Sequence, residues 1–182
     1  SYTLSEIRPG DRRGMAQVRA LLEQEGISLD GNLDYTCGLF DENDNLAATG
    51  SSFGATLRCF AVDRAHQGEG LLNQIVSHLV ERLTGQGRTH LFVYTKVSTA
   101  KFFQDLGFYE IARVENTLSF LENRKNGFAR FCARLSQSRT EEPAAAIVMN
   151  ANPFTLGHLA LAERAAAEFP AVHLFVLEED AS

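Results

Sequence analysis

The sequence predicts an α/β protein with a mixed sheet, built from an N-terminal domain and a shorter C-terminal unit. Short strand-like stretches alternate with amphipathic helical segments along most of the chain. The 182 residues are 45% apolar and 22% charged, a composition typical of a folded protein and unlike disordered or low-complexity chains. Residues 144–182 have the pattern of one strand–loop–helix–strand unit, which is typical of a parallel sheet.

The charge of the chain changes near residue 138. Residues 1–138 carry 15 basic and 16 acidic side chains, whereas residues 139–182 carry 2 and 7. A surface that binds nucleic acid needs a basic stripe, so the nearly neutral first part predicts no nucleic-acid partner. The segment SQSRTEEP is polar and ends in proline, which favours a domain boundary. We therefore expect a domain over 1–138, a linker over 139–143 and a second unit over 144–182.

The sequence also predicts a protein of a reducing compartment that does not cross a membrane. No run of about 18–20 unbroken apolar residues is present, and the N-terminus lacks the apolar core of a signal peptide. Cys37, Cys59 and Cys132 are odd in number and have no CxxC spacing. They are expected to be buried thiols in a cytoplasmic protein, with no disulfide framework, no zinc site and no membrane partner.

The first half of the N-terminal domain is predicted as a strand, a helix and three strands. Residues 2–8 alternate as a strand does, and the periodicity of the apolar residues predicts a helix over 11–25. The three further strands are expected at 34–41, 46–53 and 56–63.

The second half is predicted to begin with an amphipathic helix and a buried strand. The helix has apolar residues on one broad face, at Leu71, Leu72, Ile75, Val76, Leu79, Val80 and Leu83. The strand LFVYT (91–95) is continuously apolar, as in a central strand. The remaining expected elements are a short helix at 98–106, strands at 108–114 and 117–122, and a helix at 128–135.

A glycine-rich segment, the QGEG loop (Gln67-Gly68-Glu69-Gly70), precedes the amphipathic helix. Glycines let the backbone approach a ligand closely, and the first N–H groups of a helix have no partner within it. Together with the helix dipole, these donors favour a phosphate or pyrophosphate. The alternative is a tight turn between strand and helix that binds nothing.

This order of elements, with the QGEG loop and Leu106-Gly107-Phe108, resembles the GCN5-related N-acetyltransferase (GNAT) family over about residues 2–122. In that family a Q/R-x-x-G-x-G/A loop holds the diphosphate of coenzyme A. The resemblance implies a site for CoA or a dephospho-CoA-type group, with Leu72 in place of the family's last small residue. The residues implied are Gln67, Gly68, Glu69, Gly70, Leu71 and Leu72.

The catalytic positions of that family are occupied differently here. Its members often have an asparagine before the short helix and a tyrosine four residues before the Gly-Phe pair, and the tyrosine protonates the departing thiolate. Val97 and Phe103 stand at these positions, and phenylalanine has no proton to donate. We expect the acetyltransferase fold without its usual acid.

Four other side chains are candidates for a catalytic acid or base. Tyr94 and Tyr109 are the nearest phenols, but both lie on predicted strands, where packing is the expected role. His66 and His78 have no evident partner in the sequence, which favours surface positions or positions that support another functional side chain.

A second motif, NPFTLGH (152–158), follows the predicted strand 144–150 and leads into a helix. Ligands of open α/β sheets bind beyond the carboxyl ends of the strands, so the motif is well placed. Gly157 permits close approach to a phosphate, and Thr155 and His158 can donate to its oxygens. The alternative is a helix start capped by Thr155, with an incidental histidine.

The T-x-G-H pattern resembles the signature of the nucleotidyltransferase superfamily, whose histidine contacts the phosphates of a nucleoside triphosphate. The resemblance implies catalytic roles for His158 and Thr155, with ATP and Mg²⁺ as the bound species. The implied ATP contacts are Asn152, Phe154, Thr155, Gly157 and His158.

The two motifs in this order, with VMNANPFTLGH and HLFVLEED, resemble the citrate lyase ligase family across essentially the whole chain. That resemblance implies use of ATP and acetate to acetylate the thiol prosthetic group on the acyl carrier subunit of citrate lyase. The reaction passes through an acetyl-adenylate and releases AMP and pyrophosphate.

Three interpretations of the chain follow. Because that family continues with the rest of a Rossmann-like domain, we interpret the chain as an N-terminal fragment, inactive as a ligase on its own. One alternative is a GNAT-family N-acetyltransferase that uses acetyl-CoA, and another is a non-catalytic docking module for an acyl carrier protein.

Overall fold

A computed structural model describes residues 1–114, 118–127, 130, 144–150 and 171–177. The chain divides into two compact units, Ser1–Leu91 and Phe92–Ser182. Within the described ranges, none of the helices is long and apolar enough to cross a membrane.

The first unit contains four antiparallel strands and two helices. The strands pair in the order β1-β2-β3-β4, each antiparallel to its neighbour. Their bounds are Thr3–Glu6 for β1, Tyr35–Phe40 for β2, Leu46–Phe53 for β3 and Thr56–Val62 for β4. Helix α1 covers Arg12–Gln24, a 3₁₀ turn covers Arg64–His66, and helix α2 covers Leu71–Gly85.

Helix α1 begins at a side-chain cap and buries the face that its periodicity predicts. The Asp11 carboxylate accepts a 2.9 Å hydrogen bond from the backbone N–H of Gly14, which satisfies one of the donors left free at a helix start. The apolar residues whose spacing predicts this helix are Met15, Val18, Leu21 and Leu22, and all four are buried. The helix packs on β3 and β4.

Helix α2 packs on β2, β3 and β4 through a narrower face than the sequence predicts. Five of the seven predicted apolar residues are buried, whereas Leu72 and Val80 are only half-buried. The packing depends on Gly50 of β3, where an added β-carbon would stand 2.5 Å from Cγ2 of Ile75. Opposite Gly50 the strand β4 has one extra residue, and Cys59 takes a left-handed φ of 56° at this bulge.

The second unit contains a three-stranded antiparallel ladder in which β7 lies between β5 and β6. The strands are β5 (Phe92–Lys96), β6 (Tyr109–Val114) and β7 (Leu118–Glu122). Helix α3 (Val97–Asp105) contacts all three.

Two further strands, β8 (Ala144–Asn150) and β9 (Ala171–Leu177), form a parallel pair. Their register places Ala144 opposite Ala171 and Asn150 opposite Leu177. A parallel pair is the arrangement that a strand–helix–strand unit requires.

Every predicted helix and strand within the described ranges is present; the strands 46–53 and 144–150 have the predicted bounds, and the bounds of the others differ by at most two residues. The mixed α/β fold class is confirmed. Most of the helix predicted at 128–135, the linker 139–143 and the helix after the NPFTLGH motif lie outside the described residues, so the proposed domain boundary remains a prediction.

Candidate functional site

The QGEG loop connects the 3₁₀ turn to helix α2 and is exposed along its whole length. Gly68 and Gly70 have φ of +82° and +72°, in the left-handed region that other residues adopt only at a cost of about 1 kcal/mol or more. A β-carbon at either position would meet no heavy atom within 4 Å. These glycines are therefore required by the backbone conformation of the loop and not by close packing.

The first turn of α2 leaves its backbone donors available. Gly70 occupies the N-cap position and offers no side chain to the helix start. Within the described part of the chain, the N–H groups of Leu71, Leu72 and Asn73 have no hydrogen-bond acceptor. Such donors at the positive end of a helix dipole fit the chemistry of a diphosphate.

The only acidic side chain of the QGEG loop, Glu69, is bound by two residues beside the loop. Its carboxylate accepts a hydrogen bond from the phenol of Tyr2, and Nδ1 of His66 lies 3.7 Å from the same carboxylate oxygen. The Tyr2 oxygen also lies 2.7 Å from Nδ1 of His66, and the two rings meet edge to face. The hydrogen bond to Glu69 is the main cause that raises the pKa of Tyr2 to about 12.

His78 also has a partner that the sequence did not reveal. Its Nε2 lies 2.7 Å from the hydroxyl of Tyr35, and the Arg82 guanidinium stands 4.0 Å from the centre of the Tyr35 ring. Burial raises the pKa of the Tyr35 phenol. His66 and His78 are both half-buried, and both contact tyrosines that are distant along the chain, which the sequence could not show.

The position at which the GNAT family carries its tyrosine is part of the core in this chain. Phe103 is fully buried, and its ring meets those of Phe102 and Phe108 edge to face. Tyr109, at the start of β6, is 46% exposed, and Tyr94 of β5 packs its edge against Phe120. Both tyrosines lie on strands, as predicted, and neither stands on α3 where the family places its acid.

Two of the three cysteines are buried thiols without disulfides, as predicted, and Cys132 lies outside the described residues. Burial is the main cause that raises the pKa of both Cys37 and Cys59 to about 12. The Cys59 sulfur also lies 3.4 Å from a carboxylate oxygen of Asp30, which disfavours the thiolate further. No cluster of His, Cys, Asp or Glu within the described ranges is arranged to hold a metal ion.

The NPFTLGH motif, with its candidate residues Asn152, Phe154, Thr155, Gly157 and His158, lies outside the described residues. The structure does describe the strands that flank it. Strands β8 and β9 are parallel and end opposite each other at Asn150 and Leu177, and the motif follows β8 along the chain. The carboxyl ends of parallel strands are the edge at which open α/β sheets bind ligands. The roles of these five residues remain predictions.

Comparison with known proteins connects both parts of the chain to one kind of enzyme. Residues 144–182 match the family model of the citrate lyase ligase C-terminal domain. The [citrate [pro-3S]-lyase] ligase of Haemophilus influenzae is 32% identical over 94% of this chain and 52% of its own length. The protein of the same name from Klebsiella pneumoniae is 35% identical over 94% of this chain and 50% of its own length. The chain thus spans about half the length of the curated relatives it matches.

The fold comparison confirms the resemblance to acetyltransferases. An acetyltransferase of the GNAT family from Staphylococcus aureus superposes on 67% of this chain and 98% of its own, with a TM-score of 0.57 and 12% identity. At that level of identity the likeness concerns the fold alone.

Proposed function

Starting from the similarity of this chain to citrate lyase ligases, we propose that it is part of an ATP-dependent ligase. The ligase acetylates the thiol prosthetic group on the acyl carrier subunit of citrate lyase. The observation that carries the proposal is the 30–35% identity to three citrate lyase ligases over at least 94% of the chain. Because the matched region covers at least 94% of the chain, it spans both the QGEG loop and the NPFTLGH motif.

The reaction has two steps. An acetate oxygen attacks the α-phosphorus of ATP, the bond to the β-phosphate oxygen breaks, and acetyl-AMP and pyrophosphate result. The thiolate of the prosthetic group then attacks the acetyl carbonyl carbon, the bond to the AMP oxygen breaks, and the thioester and AMP are formed. The thiol proton is released to a base or to solvent.

Residues 144–182 supply the groups for the first step, the formation of acetyl-AMP. Thr155, His158 and the backbone at Gly157 are donors that match the charge of a triphosphate, while Asn152 and Phe154 flank the nucleotide. Adenylation requires mainly positioning and stabilisation of developing negative charge, which donors beside a helix start provide. Mg²⁺ accompanies ATP and neutralises part of the charge of its phosphates.

The unit Ser1–Leu91 binds the thiol prosthetic group of the carrier subunit, which is the substrate of the second step. The prosthetic group of citrate lyase is a dephospho-CoA derivative, so it carries the diphosphate and the pantetheine arm that GNAT proteins grip. The open first turn of α2 and the two left-handed glycines offer backbone donors to that diphosphate. Backbone donors need no particular side chain, so this binding does not depend on the missing acid at Phe103.

The test uses the longest reading frame that contains this chain. The purified protein is incubated with ATP, acetate and the deacetylated carrier subunit, and the acetylated carrier and AMP are quantified together. We expect one AMP for each acetyl group transferred, and acetate-dependent exchange of labelled pyrophosphate into ATP without the carrier. Absence of both the exchange and the transfer would refute the proposal.

An N-acetyltransferase that uses acetyl-CoA is the second candidate, and the GNAT fold of the chain favours it. Phe103 argues against it, because the usual donor of a proton to the CoA thiolate is absent and general acid catalysis contributes about 10²–10⁴-fold. We expect no rapid turnover in a screen of amines with acetyl-CoA, with an active GNAT enzyme as positive control. Rapid turnover of any amine would favour the second candidate.

A further inference from the structure

The Glu69 carboxylate stands next to the proposed diphosphate site without occupying it. Glu69 directly precedes the N-cap residue Gly70, and carboxylates near a helix start normally accept hydrogen bonds from the first N–H groups. In this structure the carboxylate makes no such bond, and the N–H groups of Leu71, Leu72 and Asn73 have no acceptor among the described residues. The carboxylate is bound by Tyr2 and His66 instead.

The hydrogen-bond directions in this cluster are fixed by proton counting. A phenol has one proton, and that of Tyr2 is donated to Glu69. The 2.7 Å contact between the Tyr2 oxygen and Nδ1 of His66 is then a hydrogen bond in the tautomer that carries its proton on Nδ1, with the imidazole N–H as donor. In that tautomer the N–H group also lies near the carboxylate, with Nδ1 3.7 Å from its oxygen. The three side chains form one series of hydrogen bonds, in which His66 donates to Tyr2 and Tyr2 donates to Glu69.

Without the hydrogen bonds from Tyr2 and His66, the Glu69 carboxylate would compete with a diphosphate for the first-turn N–H groups of α2. It is the only negative charge of the QGEG loop, and it is one residue away from the N-cap. A released carboxylate can accept from the same N–H groups that the diphosphate needs, and it repels the ligand by its charge.

We infer that Tyr2 is a positioning residue of the proposed diphosphate site. With His66, it holds the Glu69 carboxylate away from the first-turn N–H groups of α2 and so keeps these donors open for the ligand. The inference rests on the proposed function, because it presupposes that this loop binds the diphosphate of a dephospho-CoA-type group. It adds residues from the other end of the first unit, since Tyr2 lies 67 positions before Glu69.

The experiment compares the parent, Tyr2→Phe, Glu69→Gln and the double variant, each expressed from the longest reading frame that contains this chain. The affinity for dephospho-CoA is measured by titration calorimetry, and the melting temperature is measured for each. Tyr2→Phe should weaken binding about tenfold, the size of one capping interaction at a helix start. Glu69→Gln alone should bind at least as tightly as the parent. The double variant should recover the affinity of the parent, because the amide neither repels the ligand nor needs to be held.

Tyr35→Phe is the matched control. It also removes a phenol that contacts a histidine at 2.7 Å, but its partner His78 is the eighth residue of α2 and does not lie at the helix start. This variant should leave the affinity for dephospho-CoA unchanged.

Three outcomes would overturn the inference, and they are distinguishable. If the parent does not bind dephospho-CoA, the diphosphate site of the proposed function is wrong and this inference with it. If the parent binds and Tyr2→Phe binds equally well, only the inference is wrong. If Tyr2→Phe weakens binding and the double variant does not recover it, Tyr2 has a structural role that is independent of the Glu69 charge.

Discussion

A side chain at Gly50 is excluded by Ile75, because a β-carbon built at position 50 would stand 2.5 Å from Cγ2 of Ile75. The same β-carbon would stand 2.9 Å from the ring of Phe60, so it is enclosed by the helix and by the neighbouring strand. Gly50 lies on β3 and Ile75 on α2, whose first turn carries the proposed diphosphate site. The absence of a side chain on the strand therefore sets how closely the helix approaches the sheet.

Gly50→Ala should lower the free energy of unfolding by about 1–3 kcal/mol, the usual cost of overpacking a core. Denaturant unfolding followed by circular dichroism measures the change. Gly85→Ala is the control, because Gly85 is the last residue of α2 and an added β-carbon there meets nothing within 4 Å. That variant should be neutral or stabilised by up to about 1 kcal/mol. Equal stability of the two variants would show that α2 does not approach β3 this closely.

Gly70→Glu should abolish binding of dephospho-CoA, because it places a carboxylate and a side chain at the N-cap where the diphosphate is proposed to lie. The substitution also strains the backbone, since Gly70 has φ +72°. Gly87→Glu is the matched control, because it also adds a glutamate side chain to a glycine with a left-handed φ, +82°, and with open space around it. Gly87 follows the other end of α2, away from the proposed site. The control variant should lose similar stability but bind as the parent does. A folded Gly70→Glu variant with the affinity of the parent would remove the QGEG loop as the site.

If the proposed function holds, His158→Ala should slow acetyl-adenylate formation by about 10²–10³-fold in the protein expressed from the longest reading frame that contains this chain, the usual cost of removing one charge-stabilising donor. Acetate-dependent exchange of pyrophosphate into ATP reports this step without the carrier. His158→Gln keeps a donor and should retain part of the activity. Near-normal exchange by a folded His158→Ala variant would show that the histidine is structural only.

Cys37 and Cys59 should be almost unreactive in the folded protein. Burial raises the pKa of each from 9.0 to about 12, so at about pH 8 the thiolate fraction falls by about 10²–10³-fold. In a Cys132→Ser variant, Ellman's reagent should release two equivalents on denaturation and react only slowly before it. Fast reaction of either thiol in the native state would contradict its burial.

The raised thiol pKa values also predict how stability depends on pH. A group whose folded pKa is above its unfolded pKa binds its proton more tightly when folded. Its contribution to stability is therefore fully present below about pH 9 and is lost as the pH rises towards 12. The free energy of unfolding should fall over this range, and a Cys37→Ala/Cys59→Ala variant should show a smaller fall. An identical pH dependence in parent and variant would refute the assignment.

The sequence predicted the elements of the fold well because each rests on local periodicity. The apolar spacing of α1 and α2 identifies their buried faces, and the glycines of the QGEG loop mark the end of one element and the start of the next. The parallel pairing of β8 and β9 agrees with the strand–loop–helix–strand pattern of the tail. The roles of the NPFTLGH residues could be predicted only from the family resemblance. The four-residue pattern Thr-x-Gly-His by itself also fits a helix start that binds no ligand.

What the sequence alone determined is the order of strands and helices, the glycine-rich loop before α2 and the absence of the usual acid at Phe103. Each of these depends on residues that are close together in the chain. Only the tertiary structure decided that β7 lies between β5 and β6, that Gly50 must lack a side chain, and that Tyr2 holds Glu69. The β5–β7, Gly50–Ile75 and Tyr2–Glu69 contacts join residues 22 to 67 positions apart, and no local periodicity encodes them. They arise because the folded sheet and its helices bring hydrogen-bonding and packing partners into reach that the extended chain keeps far apart.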